Sequence, residues 1–243
     1  PDITRPAGGK GQCGRGLIGE LDPVRDVTLL LEDDGAGMLS LSANGLLGNE
    51  PVDLTYSTAG DSPHFDISTE NAGNMLKSFE GFDSIMGGKL VTSGFREERD
   101  GHMGWNISLS VLDFNLIDAP VMAQLLSAAS IAGLPAFVQG RGINFSRLDL
   151  GMHVSEELLV LEQLLAQGAA LGMSASGSVD RVQGQMALNG MLVPAYVLNE
   201  IIGAIPLIGT LLTGGEGEGF LASEFSVTGP LEKPVVTVNP LTA

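Results

Sequence analysis

The sequence predicts a mainly β protein with a few helices, a curved antiparallel sheet with short helices capping or filling it. Three observations carry that prediction. From Asp26 onward, apolar residues alternate with Ser, Thr, Asn and Asp, the period of half-exposed strands. Within single long runs the alternation changes phase, which calls for a bulge or bend that keeps the apolar set on one face. Short helical stretches interrupt the strands, two of them with proline at the first turn.

Residues 1–25, with Gly8-Gly9-Lys10-Gly11 and Gly14-Arg15-Gly16, lack periodicity and read as an irregular lead-in to a domain over 26–241. Gly-Lys suggests a phosphate loop, but no apolar strand precedes it and Gly11 stands where Ser or Thr is needed. Leu39, Leu41 and Ala43 then alternate with Ser40, Ser42 and Asn44. Further strands are expected at Val52–Thr58, Phe65–Ser68 and Lys89–Phe95. Ile107, Leu109 and Val111 form one apolar set, and Leu112, Phe114 and Leu116 continue on the opposite parity. A second phase change separates Ile143 and Phe145 from Leu148, Leu150, Met152 and Val154. Strands at Leu171–Val179, Met186–Leu192, Leu221–Val227 and Val235–Val238 complete the pattern.

Glu157–Gln167 is ambiguous, because Leu158, Leu159, Leu161, Leu164 and Leu165 fit helical spacing while its neighbours are strands. Helices are expected at Asn71–Phe79, Ala119–Ser130 and Pro194–Ile205. The last brings Val197, Leu198, Ile201 and Ile202 to one side. With Ile205, Leu207 and Leu211 it forms a capping or membrane-proximal segment. The apolar run Ile201–Leu212 spans only about 18 Å as a helix, against roughly 30 Å of bilayer core. Ser42-Ala-Asn-Gly45-Leu-Leu47 with Pro51-Val52-Asp53-Leu54 resembles Ser226-Val-Thr-Gly229-Pro-Leu231 with Pro234 to Val238, a sign of hairpin repetition.

Composition narrows the function classes. Hydrophobic residues make up 44% of the 243 but aromatics only 5%, so the apolar surface is aliphatic. The length suits one large all-β domain or two ordinary ones. A net charge of −17 repels phosphate backbones and argues against nucleic acid as a partner. No polybasic patch serves anionic headgroups, so lipid contact would fall to apolar chains. Cys13 is the lone cysteine, which excludes an internal disulfide and a thiolate zinc cluster. The chain begins at Pro1 without a targeting segment and is expected to be a piece of a longer protein.

No catalytic constellation emerges, and neither cofactor nor metal is expected. His64, His102 and His153 are isolated from other ligands. The acidic pairs Asp33/Asp34, Glu97/Glu98 and Glu156/Glu157 point apart on a strand and read as solvated turns. Gly214–Gly219 lacks the Asp and the nine-residue recurrence of calcium-binding repeats and reads as a linker.

Several segments together resemble a known family. They are Asn71-Ala-Gly-Asn-Met-Leu76 followed by Met86-Gly-Gly-Lys-Leu90, and Asp118-Ala-Pro-Val-Met-Ala-Gln-Leu-Leu126 followed by residues to Phe145. Val193-Pro-Ala-Tyr-Val-Leu-Asn199, Ile205-Pro-Leu-Ile-Gly209 and the tail from Val227 to Leu241 complete the set. The chain resembles the C-terminal region of AsmA-like proteins, the Gram-negative envelope group related to TamB.

That resemblance implies a repeating β-groove, an antiparallel sheet curled into a taco-like trough with an apolar interior. It further implies a periplasmic, inner-membrane-anchored protein that supports phospholipid supply to the outer membrane, without catalytic residues. Phospholipid and envelope proteins are the implied partners, and membrane contact is expected through the rest of the full-length protein. Ile107, Leu109, Val111, Leu171, Met173, Met186, Leu188, Phe225 and Val227 are the candidate groove residues, each equally suited to a core beneath the helices. The alternative is a β-rich assembly module that carries no lipid and pairs its sheet edges with a partner strand.

Overall fold

The computed structural model describes residues 9–13, 24–33, 37, 39–60, 62–77, 84–99, 101–117, 119–128, 142–169, 171–194 and 222–240. Within them, thirteen strands form one sheet whose order in space is their order in sequence. They are β1 (Gly9–Cys13), β2 (Val24–Asp33), β3 (Leu39–Leu47), β4 (Glu50–Ser57), β5 (His64–Thr69), β6 (Ile85–Arg99) and β7 (His102–Leu116). After them come β8 (Ile143–Val154), β9 (Leu158–Gly168), β10 (Leu171–Asp180), β11 (Gln185–Pro194), β12 (Ser223–Pro230) and β13 (Val235–Pro240). Two helices, α1 (Ala72–Leu76) and α2 (Pro120–Ala128), interrupt the series. The sheet is mainly β as expected, curved and unclosed.

All neighbours pair antiparallel, so the connections alternate between two ends of the sheet. At the hairpin end lie the turns joining β2–β3, β4–β5, β6–β7, β8–β9, β10–β11 and β12–β13. At the crossover end lie α1 and α2. The expected lead-in is not wholly irregular: β1 sits within it, paired Gly9 to Leu31 and Cys13 to Val27, and β2 starts at Val24.

The phase changes have local causes. In β7, Val111 and Phe114 are both buried while Leu112 and Asp113 are exposed. Asp113 adopts φ 51°, a left-handed conformation that Asp tolerates better than most residues, and it turns the strand's faces over. No register is lost against β6 or β8, because the change crosses all three strands together. In β6 it falls at Gly88, whose φ of 84° favours glycine. In β8 it falls between Phe145 and Arg147, where the pairing with β9 shifts. β2 carries a comparable irregularity at Asp26, φ 53°, between Arg25 and Thr28.

The ambiguous segment is strand β9. Its inner residues Leu161 and Leu164 lie three apart because β9 carries an extra residue at Glu162/Gln163, where its register shifts against both β8 and β10. A bulge thus imitates helical spacing.

The helices are shorter than expected. α1 runs only from Ala72 to Leu76, started by the Asn71 side chain, which accepts a hydrogen bond from the Asn74 N–H at 3.0 Å. Pro194, expected to open a helix, ends β11 opposite Leu171; the rest of that expected helix lies outside the described residues. α2 starts three residues after β7 yet packs against β13. A flat sheet would hold β13 roughly 29 Å from β7, beyond a nine-residue helix about 13 Å long, so inward curling brings them together.

Candidate functional site

Side chains directly opposite each other on paired strands share a face, so the registers define rows that cross the sheet. One inner row runs Leu31, Leu41, Tyr56, Phe65, Gly94, Ile107, Met152, Leu161, Gly177, Leu188, Val227 and Val236. The next runs Leu29, Ala43, Leu54, Ile67, Thr92, Leu109, Leu150, Leu164, Ala175, Gly190, Phe225 and Val238. Both are apolar almost throughout. The outer face carries hydroxyls and a carboxylate in the row Ser42, Thr55, Asp66, Ser93 and Ser108, with Val91, Phe95 and Leu112 also exposed on it.

All nine candidate groove residues project from the inner face. Ile107, Leu188 and Val227 share the first row, and Leu109 and Phe225 the second. Val111 and Met173 stand one row further towards the crossover end, with Leu171 beyond them; Met186 stands nearest the hairpin end. Their burial differs: Val111 and Leu171 are fully covered, Phe225 and Val227 nearly so, and Ile107, Leu109, Met173, Met186 and Leu188 are half-exposed.

Covering is concentrated at the crossover end. There Met122, Leu125 and Leu126 of α2 join Ile85, Leu90, Phe114, Ile143, Phe145 and Leu192 in one buried cluster. Phe114 and Phe145 stack with ring centroids 5.4 Å apart. Phe225 lies across Gly190 on the neighbouring strand, a place where any Cβ would strike both its ring and the Ser174 carbonyl. Towards the hairpin end the inner residues Trp105, Val154, Leu159, Val179 and Met186 stay half-exposed.

The proposed capping residues Val197, Leu198, Ile201, Ile202, Ile205, Leu207 and Leu211 lie outside the described residues, as does Gly214–Gly219. Sequence reasoning places Leu41 and Met152 in apolar sets without choosing them as groove residues, and it does not assign Tyr56, Phe65, Leu161 and Leu164 to the inner face. The alternation in 52–58 was a usable signal for Tyr56, whereas the bulge hid Leu161 and Leu164.

Polar groups sit on the outer face or at its margins. A depression of about 510 Å³ is lined by Ser93, Ser108, Ser110, Asp149 and Gln163. Ser110 Oγ donates to Asp149 at 2.9 Å, and Arg147 binds the same carboxylate through Nε at 2.5 Å and Nη2 at 3.0 Å. The Arg147 hydrogen bond holds the Asp149 carboxyl below its usual range, with burial opposing and Ser110 assisting. His153 is buried on this face with neither ring nitrogen hydrogen-bonded. His102 faces Glu157 at 3.5 Å.

Among the described residues, no three His, Cys, Asp or Glu side chains are grouped to hold a metal ion. No described helix is long and apolar enough to cross a membrane. The class defined by fold and face is an open, curved antiparallel sheet with an aliphatic inner surface. No protein family, curated protein or solved structure matches the chain.

Proposed function

We propose that the chain is a non-catalytic module that holds phospholipid acyl chains against the aliphatic inner face of its sheet. The carrying observation is the continuity of the two inner rows across twelve strands, with Ile107, Leu109, Met186 and Leu188 half-buried rather than fully covered. Each methylene removed from water there contributes about 0.8 kcal/mol, so a chain needs length rather than directional bonds to be held. The residue-level likeness to AsmA-like C-terminal regions supports placing the module in the periplasmic part of an envelope protein anchored in the inner membrane. It also supports a role in supplying the outer membrane.

Native mass spectrometry of protein purified from cells, with extracted lipids identified, tests this reading. Co-purified phospholipid and capture of lipid by photo-crosslinking residues at Leu109 and Leu188 are the expected results. Lipid-free protein together with failed capture at both positions would overturn it.

One observation favours a second reading. The sheet is unclosed, and beyond β13 no further strand is paired among the described residues, so its outer edge offers N–H and C=O groups to a partner strand. A module that carries no lipid would use that edge for assembly with other envelope proteins. Lipid-free protein that co-purifies with an envelope partner, and loses it on Thr237→Pro, is the outcome this reading expects.

A further inference from the structure

The two ends of the inner face differ in access and in charge. Resting on the acyl-chain reading above, we infer that the chain is admitted at the hairpin end, and that the headgroup left there is zwitterionic or uncharged rather than anionic.

Access comes first. At the crossover end Val111, Leu171 and Leu192 are fully covered, and α2 packs across to β13. An acyl chain reaching them would have to displace Leu125 and Leu126, themselves 3% and 1% exposed. Towards the hairpin end Trp105, Val154, Val179 and Met186 are half-buried rather than fully covered, and Met103, at the start of β7, is 48% exposed. From Met103 to Leu109 the inner-face side chains pass from exposed to half-buried over about 20 Å of strand. One leaflet of a bilayer's hydrocarbon core is about 15 Å deep, so that stretch matches a single chain.

The lip itself is apolar as well as charged. Val182, in the β10–β11 turn, is 75% exposed, and Leu231, in the β12–β13 turn, is 45% exposed. Leu158 at the start of β9 adds 40%.

Charge then selects the headgroup. The described residues at this end include Glu97, Glu98, Glu156, Glu157, Asp180 and Glu232, against Arg96, Arg99, Arg181 and Lys233. Arg99 pairs with Glu97 and Glu162, while Arg181, whose bond to the neutral Ser155 carbonyl leaves its charge in place, is exposed with Arg96 and Lys233; six carboxylates against four cations leave this end net negative by two. Glu98, Glu156 and Glu232 are exposed. The remaining negative potential acts over a Debye length of about 8 Å at physiological salt, enough to reach a headgroup seated at the lip. A phosphate without a compensating ammonium is repelled.

The test uses the unmodified chain and vesicles of phosphatidylcholine or phosphatidylglycerol, each carrying a diazirine on the acyl chain. After irradiation, adducts are mapped by peptide mass spectrometry at low and high salt. Labelling is expected at Ile107, Met186 and their row neighbours, at least fivefold above labelling at Val111, Leu171 and Leu192. Phosphatidylcholine should label several-fold more than phosphatidylglycerol at low salt, with the ratio approaching one at high salt. Glu98→Gln, Glu156→Gln and Glu232→Gln together should narrow that ratio without moving the labelled positions.

Equal labelling at the crossover end, or phosphatidylglycerol labelling as strong as phosphatidylcholine at low salt, overturns this inference while leaving acyl-chain binding in place. Absence of adducts with either lipid overturns both readings.

Discussion

The crossover end and the hairpin end are built from the same strands and the same inner face, yet one is a packed core and the other an accessible surface. Leu90, Val111, Phe145, Leu171 and Leu192 are each 1% exposed or less. A few residues along the same strands, Ile107, Met186 and Leu188 are half-exposed. Alternation alone does not separate them, because it only assigns a face. Among the described residues, helix α2 makes the difference. The packed end stabilises the sheet, which leaves the other end free to remain apolar and uncovered.

The contrast is sharpest in stability. Phe145→Ala should cost about 3–5 kcal/mol, since the ring is fully covered and stacked on Phe114. Leu188→Ala, from the half-exposed row, should cost only about 1–2 kcal/mol. Urea unfolding of both variants measures this through the shift in midpoint at unchanged slope. Equal costs would break the distinction between the two ends.

Gly190→Ala probes the seam where Phe225 covers its neighbour. The new methyl must push aside the ring and the Ser174 carbonyl, and a loss of about 1–3 kcal/mol is expected. Adding Phe225→Leu should recover part of the loss by thermal melting. No loss in the single variant would show that this part of the face is loose enough to accept a ligand.

The smallest effect belongs to the outer face. The folded-state pKa of Asp149 is lowered, so its contribution is complete above the ordinary carboxylate range and is lost as pH falls through the lowered value. The pair is exposed, 55% for Arg147 and 41% for Asp149, so solvent screens it strongly. Asp149→Asn should lower the melting temperature slightly at neutral pH and not at all in strong acid. A drop of the same size at both pH values would assign the loss to packing instead.

Much of the architecture was legible because alternation is a strong signal where a strand is straight. Leu39 to Ala43 shows it without interruption, and it is a strand. The phase change after Val111 was legible as a bend, but its cause was not, since only the left-handed Asp113 and Gly88 reveal why register survives. β9 was obscured because an inserted residue at Glu162/Gln163 converts a period of two into a spacing of three. β1 was hidden by Gly9-Lys-Gly-Gln-Cys13, a strand with no apolar alternation to read.

For the candidate site, facing was readable and covering was not. All nine chosen residues share a face, but Val111 and Leu171 are fully covered while Ile107 and Met186 are half-buried. That distinction depends on where α2 packs. Its sequence gives an apolar helix; the strand it reaches, β13, lies more than a hundred residues away.

The sequential strand order has a consequence for assembly. Most new strands find their partner just behind them in the chain, so closing each pair costs only the entropy of a short loop. A sheet of this kind grows from one edge as synthesis proceeds, and no early strand waits for a distant late one. The exceptions are the intervals 117–142 and 195–222, across which β8 and β12 must return to β7 and β11. Those two returns are where growth should pause, and where a helper protein would have most to offer a half-made sheet.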